Sequence, residues 1–357
     1  MDIYVLDKSF NKLTVIDTYK SVLWIDRYNK PGEIELFMDA DVNVLQYLKQ
    51  GNYLTHKNSE HLIIIEGIKI ETSADEGNHY IITGRSLESI LERRIVWSQT
   101  DFNNANLQTA VRRLLNESII SPSIAARRIP NFIFKNSTDT KVTSLTLTAQ
   151  YTGDNILELL EKICEDTKIG FKITLNASNQ FVFELYSGVD RSYDQTTNTY
   201  VVFSPDFDNI INSNYYESEV AYKNVTLVAG EGEGTARKTY AVGTVSGLER
   251  KEIYTDARDL QSTDENNNPI PIATYNQMLR QRGLEKLAEC KKDKDFDGQV
   301  DTSQMFIYER DFYMGDIIQM KNEYGLEGPA RIIEYIMSES VDNGLEYYPT
   351  FEAIQEE

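Results

Sequence analysis

The stretch Tyr80-Ile-Ile-Thr-Gly84-Arg85-Ser-Leu87-Glu-Ser-Ile90-Leu91-Glu-Arg93-Arg94-Ile95-Val96 reads as a strand that stops at a glycine and turns into a short helix ending on two arginines. Ser86 suits the helix start as its cap, and Glu88 falls in the first turn, where a negative charge suits the dipole. Leu87, Ile90 and Leu91 recur at i, i+3 and i+4, one apolar face directed back at the strand. Gly84 suits a position where the chain turns sharply against its own sheet. The turn offers no nucleophile, phosphate loop or metal ligand. Its role is architectural.

Upstream, period-two alternation dominates. Ile34, Leu36 and Met38 alternate with Glu33, Glu35 and Phe37 after the turn Lys30-Pro31-Gly32, and Leu62, Ile64, Ile68 and Ile70 share one parity. Several such strands predict a half-buried antiparallel sheet or barrel. The segment from Gly67 to Gly84 reads as a hairpin turning through residues 73–78. Downstream of Thr100 the character changes. Leu107, Ala110, Val111, Leu114 and Leu115 form a helical stripe near 106–116, and Ile156, Leu157, Leu160 and Ile163 form another near 154–166, with Gly170 as its stop. A hairpin follows over 171–185, with Phe171, Ile173 and Leu175 facing Phe181, Phe183 and Leu185 around Asn176 to Asn179.

Strands return after Thr199, at Tyr215–Val220, Val225–Ala229, Thr239–Val242, Met305–Tyr308, Asp316–Met320, Arg331–Ile336 and Tyr347–Phe351. One helix intervenes near 275–290, with Thr274 and Gln277 as a capping box and Leu279, Gly283, Leu284, Leu287 and Ala288 as its inner side. The fold expected is β-rich α+β, with β domains at 1–97 and 205–357 and an inserted α+β domain at 98–204.

At 357 residues the chain has room for two or three cored domains. It carries 56 Asp and Glu against 36 Lys and Arg, a net charge of -20. That excludes binding to nucleic acid or anionic membrane, which need cationic neutralisation. It fits solubility, or a surface that passes a polyanion without holding it. Cys164 and Cys290 are the only cysteines, too few for a disulfide framework or thiolate zinc site, and read as small core residues. The start, Met1 to Lys8, has no basic region or apolar signal core, and no run has the length to span a bilayer. Synthesis in a cytoplasm and a soluble product are expected.

Three stretches resemble chemical motifs. Gly230-Glu-Gly232-Glu-Gly234 is a glycine-rich loop after a strand, but a strand follows it and two glutamates would repel phosphate, so a mobile hairpin tip is expected. Asp293-Lys-Asp295-Phe-Asp297-Gly298-Gln-Val300-Asp301 opens like a calcium loop, yet its twelfth place is Gln304, which cannot supply the bidentate carboxylate. An acidic turn before a strand is expected there instead. His56, His61 and His79 have no metal-binding spacing and read as surface loop residues. There is no nucleophile elbow. No catalytic, cofactor-binding or metal residue is assigned.

Four blocks carry a family resemblance: Ser21-Val-Leu-Trp24 to Arg27-Tyr28 and Pro31-Gly32-Glu33-Ile-Glu35-Leu36; Gly84-Arg85 to Arg93-Arg94; Tyr222-Lys-Asn224 to Gly230-Glu-Gly232-Glu-Gly234-Thr-Ala-Arg237; and Tyr308 to Asp311, Tyr313-Met-Gly315-Asp316-Ile, then Ala330-Arg331-Ile332-Ile-Glu334. In this order they resemble the tail-associated (Tal-like) tail-tip hub family of long-tailed bacteriophages, akin in fold to the central baseplate hub of contractile tails. The resemblance implies two small antiparallel β-barrel domains joined by the inserted domain, and a homotrimer forming a pseudo-sixfold ring at the virion's tail tip. It implies contacts with the distal tail protein, the tape-measure protein and other tail-tip or receptor-binding proteins. The hub would close the tube until infection, and viral DNA would pass through without specific binding. Many relatives extend further into a hydrolase or receptor-binding tail; here the sequence stops at Thr350 to Glu357, so a hub without enzymatic activity is expected. Two rivals are a tail-associated cell-wall hydrolase, which calls for a cleft with two carboxylates, and a carbohydrate-binding module, which calls for an exposed aromatic platform.

Overall fold

The computed structural model of the chain describes residues 1–57, 59–73, 77–300 and 305–354. Its first strands are β1 (Ile3–Leu6), β2 (Lys12–Ile16), β3 (Ser21–Arg27), β4 (Glu33–Asp39), β5 (Tyr53–His56), β6 (Ile63–Ser73) and β7 (Gly77–Ser86), with a one-turn helix α1 (Val42–Leu45) before β5. On β4, Ile34, Leu36 and Met38 are buried and Glu35 and Asp39 exposed, as its alternation predicts. The hairpin β6–β7 forms, though part of its expected turn lies outside the described residues.

The β6 segment departs from the single parity expected of it. A bulge between Ile65 and Gly67 shifts its register on β7. Ile63 and Ile65 enter one core with Trp24 and Leu36, Leu62 and Ile64 enter another with Leu87 and Leu91, and Ile70 is exposed. The segment lies between two cores, so it is apolar on both faces. Gly84 is also corrected. It lies inside β7, which runs on to Ser86 before a 3₁₀ helix at Leu87–Arg93. A Cβ there would stand 2.1 Å from the carbonyl oxygen of Ile64. Glycine is therefore needed for close cross-strand approach beside the bulge, not for a turn. Ser86 does not cap the helix; its hydroxyl accepts from the Gly32 amide at 2.7 Å and donates to Glu88. Leu87, Ile90 and Leu91 are buried as expected.

The next segment holds β8 (Thr100–Asn106), α2 (Leu107–Leu115), β9 (Phe132–Lys135), the one-turn α3 (Thr140–Thr143), β10 (Thr146–Tyr151), α4 (Ile156–Thr167), β11 (Gly170–Leu175) and β12 (Phe181–Tyr186). Asn106 caps α2 through the Thr109 amide at 3.2 Å, and Asn155 caps α4 through Leu157 at 3.0 Å. Both predicted stripes are buried. The hairpin pairs Phe171 with Leu185 and Ile173 with Phe183, in the predicted register. Gly170 is not the helix stop. Lys168 takes the left-handed conformation (φ 59°) at the end of α4, and Gly170 opens β11 with a different task, described below.

The remaining elements are β13 (Val202–Phe203), β14 (Ile210–Ser218), β15 (Val225–Ala229), β16 (Thr239–Val242), β17 (Glu252–Asp256), α5 (Ile272–Glu289), β18 (Asp293–Val300), β19 (Ile317–Lys321), β20 (Glu327–Ser340) and β21 (Gly344–Ala353). Residues Met305–Tyr308 form no strand; Tyr308 makes an isolated bridge to Phe312. The helix α5 starts after Pro271 with no side-chain cap, which places Thr274 within it and removes the expected capping box.

A 13-stranded sheet runs β14-β18-β21-β20-β3-β4-β7-β6-β5-β1-β2, with β19 also on β20 and β13 on β19. At its centre β3 pairs antiparallel with β20, Trp24 opposite Met337 and Arg27 opposite Glu334. On one side Trp24, Leu36, Leu54 and Ile82 share a core; on the other Phe203, Phe312, Ile332 and Phe351 share a second. The β-rich α+β class stands as expected. Among the described residues, however, neither half closes into a separate barrel: β3 and β20 pair with each other, and the ladder stays open at β2 and β14. A third core fills the inserted segment. Residues 225–290 build a further lobe, in which the sheet β16-β15-β17 and α5 enclose Val228, Leu260 and Met278.

One side chain joins three of these regions. Tyr28, directly after β3, is almost wholly buried. A Cβ on Gly170 or on Gly315 would stand 2.4 Å or 2.2 Å from its ring. The ring packs edge-on against Tyr186 at 5.2 Å, and the Arg331 guanidinium lies 5.5 Å above it. Its amide donates to Ile333 and its carbonyl accepts from Phe171. Placing a valine at Gly84 should force β6 off β7: Gly84→Val is expected to lower stability by about 3 kcal/mol or more, read as the midpoint of urea unfolding, with Gly84→Ala intermediate.

Candidate functional site

Next to Tyr28 two of these regions, the first β half and the inserted segment, contribute a buried charged cluster. Asp26 comes from β3, His61 from the β5–β6 connection, Glu88 from the 3₁₀ helix and Lys172 from β11. The indole of Trp24 donates to Asp26 at 3.1 Å. Glu88 stands in the first turn of the 3₁₀ helix, as expected, and accepts from the Ile173 amide at 2.6 Å and from Ser86, so it also ties the first β half to the inserted hairpin. His61 lies 3.9 Å from Glu88 and 3.8 Å from Glu60. Lys172 pairs with Glu60 at 2.6 Å and reaches Glu184 at 3.6 Å.

Electrostatics follow from burial. Burial pushes the Asp26 carboxyl up, against the pull of His61 and the Trp24 hydrogen bond. Burial works against a charged His61, but Asp26, Glu88 and Glu60 outweigh it and raise the imidazole above its usual value. The pair Asp26 and His61 can thus hold a proton inside the joint.

The sequence expected histidines on surface loops, and the structure corrects this. His56 is buried on β5 against Trp24, with ring centroids 4.7 Å apart, and burial lowers its pKa to about 4. His79 is buried on β7, 3.1 Å from Asp39. Cys164 is a core residue as expected, its thiol pushed up by burial, and Cys290 ends α5 half-buried. The glycine-rich loop is a hairpin tip between β15 and β16, as expected, but it is anchored. Arg237 donates to the carbonyls of Gly230 and Ala229 at 2.9 and 2.8 Å, and the Ser262 amide donates to Glu231. The calcium-like stretch is not a loop before a strand: residues 293–300 are β18 itself, paired to β14 and β21, while Asp301 and Gln304 lie outside the described residues. Among the described residues no cluster of three or more His, Cys, Asp or Glu is placed to hold a metal, and no helix is long and apolar enough to cross a membrane.

A cleft of about 330 Å³ between α4, α5 and β17 does contain two carboxylates of raised pKa, Asp154 and Glu285. Burial is the main cause in both. Glu285 accepts from the Tyr151 hydroxyl at 2.8 Å and from Gln281 at 3.3 Å, and Asp154 accepts from the Thr152 amide at 3.0 Å. Glu285 thereby ties the 225–290 lobe to Tyr151 at the end of β10, while the Asp154 bond is local to the turn before α4. Residue spacing does not point to the burial of Glu285, because α5 mixes polar and apolar residues around its circumference.

Comparison with solved structures gives this architecture a class. The fold is similar along nearly its whole length to the prophage MuSo2 43 kDa tail protein from Shewanella oneidensis (12% identity, TM-score 0.58, 99% of this chain and 98% of that one). It is similar to the prophage tail protein gp18 from Listeria monocytogenes EGD-e (12% identity, TM-score 0.55, 100% and 96%) and to the tail protein from Neisseria meningitidis MC58 (10% identity, TM-score 0.55, 98% and 95%). The fold is one used by phage tail proteins. The chain itself belongs to the Siphovirus ReqiPepy6 Gp37-like family, whose model matches residues 2–351. No curated protein sequence matches it.

The raised pKa of His61 fixes the sign of a pH effect. Its stabilisation is fully present below the ordinary imidazole value of 6.5 and is lost as pH rises through the higher folded value. The difference in melting temperature between the natural protein and His61→Gln is expected to be largest near pH 6 and to shrink toward pH 9 in thermal melts.

Proposed function

We propose that this protein is a structural component of a phage tail tip: a homotrimeric hub without enzymatic activity that closes the tail tube and passes tape-measure protein and DNA. The observation that carries the reading is the match to tail proteins over essentially both full lengths, together with membership of a siphovirus family. The domains proposed are 1–97, 98–204 and 205–357, the first and last supplying the β lobes on either side of the β3–β20 seam. Two such lobes per chain suit a threefold assembly that must present six similar surfaces to a tube. The open strands β2 and β14 at opposite ends of one ladder offer edges of the kind that neighbouring chains cover; a contact joining unlike surfaces closes into a ring when the rotation allows. The distal tail protein, the tape-measure protein and further tip or receptor-binding proteins are the partners of this reading. A net charge of -20 lets DNA move past without counterion-releasing contacts.

The cleft with Asp154 and Glu285 favours a second reading, a cell-wall hydrolase. Electron microscopy and native mass of the full chain, alone and with its distal tail protein, separate the two. Threefold rings, with no release of soluble fragments from purified peptidoglycan, are the expected outcome. A monomer in both conditions overturns the hub, and fragment release that disappears in Glu285→Gln installs the hydrolase.

A further inference from the structure

A second cleft, of about 410 Å³, opens where the inserted segment meets the 225–290 lobe. Its size falls in the range of small-ligand sites. One wall is Trp97, a residue 58% exposed. The ring is held, with the Arg127 guanidinium 5.0 Å from its centroid. Arg127 is fixed in turn, donating to the Ile95 carbonyl at 2.6 Å, while Arg94 donates to the Arg127 carbonyl at 2.7 Å. A large aromatic face is therefore presented to solvent on a rigid mount.

The opposite wall comes from the end of α2, where the helix widens into a π-helical turn at Asn116–Ile120. Such turns are rare and often sit at functional sites. This one places Glu117 3.3 Å from the Thr100 hydroxyl and 2.7 Å from Arg113. The third wall is Glu265, reaching over from the lobe to Arg113 at 2.6 Å. Ser121 and Ser123, both exposed, complete the rim.

The charges in this cleft balance: Arg113 and Arg127 against Glu117 and Glu265. An anion entering it meets two carboxylates, and a cation meets two guanidinium groups. A neutral ligand meets neither penalty. Carboxylates that accept, guanidinium groups that donate, and serine hydroxyls that do both suit a ligand rich in hydroxyls. The exposed indole suits a flat, weakly polar C–H face. We propose that this cleft binds a neutral saccharide, stacked on Trp97 with its hydroxyls directed at Glu117, Glu265 and Arg113.

The chain supplies its own probe. It has two tryptophans, of which Trp24 is fully buried and Trp97 exposed, so the red edge of the emission reports Trp97. Full-length protein is titrated with maltotriose, cellotriose and tri-N-acetylchitotriose, with trigalacturonate as the anionic control, to about 10 mM, where millimolar affinities register. At least one neutral trisaccharide is expected to give a saturable blue shift. By isothermal titration its affinity should fall roughly tenfold or more in Trp97→Ala, fall less in Trp97→Phe, and be lost in Ser123→Arg, which fills the rim. Melting temperatures matching the natural protein certify each variant. The proposal is overturned by no saturable response to any of the neutral sugars, by binding that survives Trp97→Ala unchanged, or by tighter binding of trigalacturonate.

Discussion

The structure depends on one steric constraint: the Tyr28 ring fills a slot whose walls are two glycines from distant parts of the chain. Gly170 begins a strand of the inserted segment, and Gly315 precedes a strand of the C-terminal half. Neither could carry even a methyl group without displacing the ring. The close packing of protein interiors makes such a slot all-or-none, since a gap of a single methyl forfeits much of the contact energy. Three regions with separate cores are thus brought to one position by one side chain. Asp316, beside the slot, adds an ion pair to Arg191 at 2.7 Å and accepts from the Val189 amide, holding the connection out of β12 against the same joint.

The charged cluster beside Tyr28 serves a different purpose from the ring. Burying Asp26, Glu88 and His61 together gains little in stability against apolar side chains of the same shape. It does penalise misplacement, because Glu88 satisfies the Ile173 amide only when the inserted hairpin is seated, and a buried charge left alone is costly. Shape at Tyr28 and charge at Glu88 therefore select the same arrangement.

Much of this was legible in the sequence where one local pattern met one core. The stripes of α2 and α4, the alternation of β4 and the β11–β12 register follow from residue spacing alone. Three of the four family-like blocks hold residues of the joint: Tyr28, Glu88 and Gly315. What spacing could not give were positions fixed by remote neighbours. Gly84 and Gly170 read as punctuation, yet each answers to atoms of another strand or ring. His61 read as a loop residue because its acidic partners, Asp26 and Glu88, are distant in sequence. The Trp97 cleft was hidden for the same reason, since Glu265 arrives from another lobe. The fusion of two β halves into one ladder was likewise invisible, because it rests on a pairing between strands at opposite ends of the chain.

That central pairing has a consequence for how the protein is made. Arg27 and Glu334, partners across the seam, are 307 residues apart. At roughly 5–20 residues per second, a ribosome separates their synthesis by roughly 15 to 60 seconds. Through that interval β3 has left the ribosome with one edge unpaired, a ready template for the wrong strand of another nascent chain. The N-terminal half can bury its own core meanwhile, but the joint around Tyr28 cannot form until β20, with Arg331 and Ile333, has been made. Yield in the cell should accordingly be limited by what shields that edge during translation.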